Sequence, residues 1–159
     1  RSTQSRSSAA SDVYKRQVLL GFSKTHLPSF PANVHYLGMK AQSELPSYYM
    51  HADVGIIPFR SIELTKHVNP LKFYEYLAMG LPCVSVPMDP IARYEREGIL
   101  ALRRDPDAFA AALKDMARMR SCQIRDRRGI ALENDWEALS HVFESVVEDT
   151  LKRRSTALP

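Results

Sequence analysis

The sequence predicts an α/β domain built on a doubly wound parallel sheet. Three observations carry that expectation. The runs 53–59 (DVGIIPF) and 81–87 (LPCVSVP) are largely apolar rather than alternating, as in strands covered on both faces. Helical stretches with start and stop residues lie between such runs. The two kinds of segment then alternate along the chain from Val18 onward.

In chain order, Val18–Gly21 and Asn33–Leu37 read as short strands, each closed by a glycine at 21 or 38. Ser43 to Ala52 reads as a helix with Leu45, Tyr48, Tyr49 and Ala52 on one side. The strand at 53–59 leads into a polar loop over 60–69. Asn69 is a good N-cap and Pro70 suits the first helical position, while Gly80 and Pro82 stop the helix begun there. The valine-rich strand 81–87 comes next, then a helix opened by Asp89 and Pro90, and a strand at 99–102. Asp105 and Pro106 open a helix through Met116 or beyond, and a basic helix spans about 123–132. Asn134 caps the last helix, with Glu137 as its capping-box partner. One face of that helix carries Trp136, Leu139, Phe143, Val146, Val147 and Thr150.

At 159 residues, 45% of them hydrophobic, the chain is one domain with enough apolar residues for a sizeable core. No apolar run approaches the roughly 20 residues that span a bilayer. Nothing at the N-terminus resembles a secretory signal, because no apolar core region lies there, so none is expected. Cys83 and Cys122 lie far apart without metal spacing, and Cys83 falls in an apolar run that implies a buried thiol. Reduced cysteines fit a cytoplasmic protein. The net charge of +4 comes mostly from residues 1–16, where Arg1, Arg6, Lys15 and Arg16 outweigh Asp12. The other basic cluster, Arg118 to Arg128, has no interleaved aromatics for base stacking and reads as a solvated helix face. No nucleic-acid partner is expected. Ser11 to Gln17 (SDVYKRQ) resembles a translated sequencing adapter. Residues 1–17 are therefore expected to be a disordered, non-native leader, ahead of a domain over 18–152 and a basic tail over 153–159.

The helix from Pro70 holds the most pointed chemistry. Its body is apolar and aromatic, interrupted only by Lys72 and Glu75, three apart on one face. Two readings stay open: a solvent-facing ion pair, or a ligand with phosphate and hydroxyl groups docked at the helix start. In parallel sheets ligands bind outside the carboxyl ends of the strands. The loops there are Gly38–Gln42, Arg60–Asn69 and Met88–Asp89, and all three are expected on one edge. Other patterns carry less. Asp105-Pro106-Asp107 is accounted for as a helix start. No G-x-G-x-x-G or P-loop is present, and Ser85 lacks a glycine-framed elbow.

The ordered series NVHYLG (33–38), ELPSYY (44–49), ADVGIIPF (52–59), NPLKFYEYLAMGLPCVS (69–85) and NDWE (134–137) resembles the retaining GT-B glycosyltransferases, the bacterial "group 1" family. The resemblance covers about Val18 to Leu151. It implies a Rossmann-like, C-terminal half that binds a nucleotide-sugar donor, incomplete at its own N-terminus, with the N-terminal acceptor domain missing. It implies a last helix that crosses back toward that domain. It also implies transfer with retention and no cofactor or metal, the UDP- or GDP-linked sugar being the substrate.

Carried over by position, Glu75 matches the family's second donor-site glutamate, which holds the ribose hydroxyls. The first glutamate falls on His67, a departure that leaves the sugar and the role of His67 open. The diphosphate turn falls on Pro70, which has no N–H to give. Leu71 and Lys72 still offer amides there, and Lys72 is expected to supply a full positive charge instead. Gly38 and Met39 match the turn beside the nucleobase. The expected catalytic residues are Lys72 and His67, and the donor-binding set is Glu75, Leu71, Asn69, Gly38, Met39 and Arg60. Thr65 and Lys66 share the loop with Arg60, where simple solvation is the plainer reading. By itself this piece is expected to transfer little sugar. The rival reading is a non-catalytic nucleotide-binding or protein-interaction module on the same scaffold. The last helix with Lys152, Arg153 and Arg154 allows a weak peripheral membrane contact, although core packing explains it better.

Overall fold

A computed structural model describes residues 16–23 and 29–156. The chain divides after Leu45 into two compact units. In the first, β1 (Gln17–Leu19) pairs in parallel with β2 (Val34–Tyr36), with Val18 opposite His35. The expected leader lies outside the described residues up to 15, and Gln17 itself opens β1. The Gln17 amide donates to the Asn33 carbonyl at 2.8 Å. Gly38 adopts φ 66°, which glycine tolerates without strain, and its carbonyl accepts from the Gly21 amide at 2.9 Å.

The second unit begins within α1 (Leu45–Met50), which comes after a single 3₁₀ turn over Gln42–Glu44. Next is a three-stranded parallel sheet in the order β3 (Gly55–Ile57), β4 (Cys83–Ser85), β5 (Leu100–Leu102). The chain is thus α/β, with the described strand ladders all parallel and falling in two sheets. Side chains along β4 alternate between two apolar clusters, as the strand period requires. Cys83 joins Ile57, Phe73, Leu77 and Ile130 on one face. Val84 joins Ala101, Ala112 and Met116 on the other. Helices α3 (Leu71–Ala78) and α6 (Ile124–Leu132) therefore cover one face and α5 (Pro106–Arg118) the other, which is the doubly wound arrangement. Burial pushes the Cys83 thiol far up, so it stays an inert core group.

Gly55 explains how closely α3 approaches the sheet. A methyl group there would run into the Tyr76 ring, so only glycine fits. The end of α3 depends on Gly80 at φ 69°. Its amide donates to Leu77 and that of Leu81 to Tyr76, the two bonds of a Schellman cap. The outer edge of β5 is closed: Arg96 and Leu100 exchange backbone hydrogen bonds, and the Glu95 carboxylate accepts from the Leu102 amide at 3.2 Å.

Several expectations are corrected. The polar loop over 60–69 contains a helical turn, α2 (Glu63–Lys66), where Thr65 Oγ1 accepts from the Ile62 amide. At α3 the N-cap is Pro70 rather than Asn69, whose carboxamide oxygen instead accepts from the Tyr74 hydroxyl at 3.1 Å. The last helix, α7 (Trp136–Thr156), is capped by Asp135, which accepts from the Ala138 amide at 2.8 Å. Asn134 spends its amide on the Ile130 carbonyl and the Tyr94 hydroxyl. α7 also runs into the expected tail, whose last three residues lie outside the described residues. Its apolar face is open rather than packed: Trp136 is 79% and Phe143 70% exposed.

The basic cluster is the largest correction. Arg127 is completely buried, not solvated. Its guanidinium donates to the carbonyls of Gly98, Gly80, Arg120 and Met119. Arg120 adds bonds to the Ala52 and Gly80 carbonyls, both at 3.0 Å. Burial first, and the neighbouring Arg120 second, lower the pKa of Arg127, and the carbonyl dipoles take the place of water around its charge. Replacing Arg127 by Leu strands those carbonyls at about 1–3 kcal/mol for each that water cannot reach. The R127L variant is expected to lose about 3 kcal/mol or more in urea unfolding. Exposed Arg128→Ala, one position along, is expected to stay within about 0.5 kcal/mol of wild type.

Candidate functional site

The segments after β3 and β4 form the site. α2 and the start of α3 come after β3, and α4 (Asp89–Ala92) after β4. His67 joins the two segments. Its Nε2 lies 3.1 Å from Glu63 Oε1 and its Nδ1 3.4 Å from Asp89 Oδ2. Two of the three loops expected on one edge therefore meet. The third, with Gly38 and Met39, belongs to the first unit. There Gly38 makes the turn after β2 and Met39 is 71% exposed.

At the start of α3, Pro70 has no N–H, and the Phe73 amide turns back to the Pro70 carbonyl at 2.9 Å. The Leu71 and Lys72 amides find no acceptor among the described residues. They are the orphan donors of a helix start, with the positive end of the dipole behind them. Leu71 itself is 62% exposed.

Lys72 and Glu75 stand one turn apart on the same face. Their ammonium and Oε2 are 2.7 Å apart, with the two side chains 48% and 34% exposed. The ion-pair reading of the sequence is thus realised, and on an accessible surface. Tyr49 from α1 completes the group. Its hydroxyl donates to Glu75 Oε2 at 3.0 Å and accepts from Lys72 Nζ at 3.3 Å. Burial, then the hydrogen bond to Glu75 and its charge, push the Tyr49 phenol well above its usual range, so it stays a donor.

The chemistry of this group can be counted. An ammonium has three N–H donors, and two are engaged. A carboxylate has two oxygens, and both donors fall on Oε2. Glu75 Oε1 has none among the described residues. One cationic donor, two amides and one anionic oxygen therefore remain for a ligand carrying both phosphate and hydroxyl groups. Asn69 is turned to Tyr74 by its side chain. Arg60 is exposed after β3, its carbonyl held by Ile62 and Thr65, and no contact joins its side chain to Lys72 or Glu75. Among the described residues no cluster of His, Cys, Asp and Glu is arranged to hold a metal ion.

Tyr49 and Asp89 are the partners that motif reading passes over. Asp89 reads as a helix cap, although its loop belongs to the expected edge. Tyr49 carries only an amphipathic-helix signal, and its partner lies 26 residues away.

The pair at 72 and 75 is half exposed, and such pairs contribute little to stability. Lys72→Ala and Glu75→Ala are each expected to cost at most about 1 kcal/mol in thermal melts. Any loss of ligand binding by these variants can then be read as binding.

Comparison with known proteins gives two findings. The chain matches the family described as Glycosyl transferases group 1 over residues 14–119. It is also 28% identical over 111 residues, 67% of this chain, to a protein of Bacillus subtilis (strain 168) named as a teichuronic acid biosynthesis glycosyltransferase, TuaH. The chain spans only 28% of the length of that relative. No solved structure matches the chain.

Proposed function

The chain belongs to the group 1 glycosyltransferases, and we propose that it is the nucleotide-sugar donor-binding half of such an enzyme. The observation that carries this reading is the α3 start, where two amides without an acceptor among the described residues stand beside the half-exposed Lys72–Glu75 pair, whose Oε1 has no donor among those residues. In this reading the diphosphate sits against the Leu71 and Lys72 amides and the Lys72 ammonium. Glu75 accepts from the ribose hydroxyls. As the bond to the sugar breaks, negative charge grows on the leaving diphosphate, and Lys72 and the helix start stabilise it. The sugar is transferred with retention of configuration, and no metal takes part.

His67 is held between Glu63 and Asp89, which suits a role in shaping the loop beside the diphosphate. Gly38 and Met39 would border the nucleobase through backbone groups, and Arg60 would act as a loop cation. This reading calls for a separate acceptor-binding domain to complete the reaction. The open apolar face of α7 is the surface proposed to meet it. The enzyme is proposed to act in the cytoplasm.

Calorimetric titration with UDP and with GDP tests the reading. Wild type is expected to bind one of them. Glu75→Ala and Lys72→Ala are each expected to weaken that binding by about tenfold or more. For Lys72→Ala the residual binding is expected to depend less on salt. Equal weak binding by all three proteins would favour a non-catalytic module instead. Incubation of the 159-residue chain with several nucleotide sugars is expected to give no robust transfer.

A further inference from the structure

The donor reading leaves one question of mechanics. Lys72 and Glu75 are bonded to each other, yet each is assigned a different part of the ligand. When the ammonium turns to a phosphate, Glu75 loses its shortest contact. Its carboxylate, with three rotatable bonds, would then be free to swing.

We propose that Tyr49 is the positioning residue that prevents this, its hydroxyl holding one oxygen of Glu75 while the other faces the ribose hydroxyls of a nucleoside diphosphate. The proposal rests on the donor reading above. Its basis is the division of the carboxylate: Tyr49 and Lys72 both donate to Oε2, and Oε1 is left without a donor among the described residues. The two anchors differ in kind. Lys72 ends a flexible four-carbon stem that is half exposed. Tyr49 is a rigid ring packed edge-on against Tyr76, with centroids 5.3 Å apart and planes at 83°. Tyr76 is fixed in turn. Its ring fills the space that Gly55 leaves beside β3, and its hydroxyl donates to the Ile56 carbonyl. A line of contacts from strand to Tyr76 to Tyr49 thus ends on Glu75. The ammonium can move to the phosphates while the carboxylate stays where two neighbouring hydroxyls can reach it.

Tyr49→Phe keeps the ring and removes the hydroxyl. The readout is the preference for a ribonucleotide over its 2′,3′-dideoxy counterpart, a ratio that a merely structural ring would not change. The probes are UDP, GDP and their dideoxy forms, titrated into the full chain at a temperature where circular dichroism shows every variant folded. Wild type is expected to prefer the ribo form by about tenfold. E75Q should erase that preference. Y49F should reduce it to about threefold or less with an unchanged melting profile. The double variant Y49F/E75Q should match E75Q, because the hydroxyl acts only through the carboxylate. If Y49F keeps the full preference while E75Q loses it, the positioning role is overturned and the donor reading stands. If wild type binds neither nucleotide, or shows no ribo preference for Glu75 to carry, the ribose assignment falls and the proposal falls with it.

Discussion

One buried guanidinium holds the larger unit together. Among the described residues Arg127 has no carboxylate partner, and four carbonyls solvate its charge. Those carbonyls come from the end of α3, the turn before β5 and the turn after α5. One residue of α6 therefore ties down the ends of elements on both faces of the sheet. The geometry suits arginine alone, because its planar fork sends donors in several fixed directions at once. The α3 start depends on this at a distance. α3 is only eight residues long, so fixing its last turn at Gly80 also fixes where its first turn stands.

The α3 site arises from the same economy of short elements. An eight-residue helix has no room for a long binding surface, so its two charged residues and its free amides crowd into two turns. Lysine and glutamate neutralise each other there at little net gain in stability, and the pair remains open to exchange of partners. The neighbours differ in stiffness. Tyr76 is packed on a glycine-bearing strand and Tyr49 edge-on against Tyr76, whereas the ammonium rides on a half-exposed stem. That contrast lets one face carry a mobile cation beside a fixed anion.

α7 differs from the helices packed on the sheet in leaving its large apolar side chains exposed. Four large apolar side chains on α7, Trp136, Val142, Phe143 and Leu151, are each more than 60% exposed. Trp136, Phe143 and Leu151 lie seven and eight residues apart and so near one another on the helix surface, whereas Val142, next to Phe143, points to a different side.

What the sequence alone determined was local. Apolar runs fixed the parallel α/β class, because a strand covered on both faces has no polar side to alternate with. Gly80, Asp105 and the spacing of Lys72 and Glu75 each act over four residues or fewer, and each is found as read. Caps one residue away from a rival proved ambiguous, as at Asn69 with Pro70 and Asn134 with Asp135. There a side chain engaged elsewhere, by Tyr74 on the adjoining helix or by the distant Tyr94, leaves the cap to its neighbour. Only the tertiary structure decided that Arg127 is buried while Arg128 is exposed, that His67 faces Asp89, and that Tyr49 reaches Glu75. The contacts of Arg127 with Gly80, of His67 with Asp89 and of Tyr49 with Glu75 join residues 47, 22 and 26 positions apart, and no local pattern of charge or hydrophobicity encodes which distant carbonyl or carboxylate a side chain will meet.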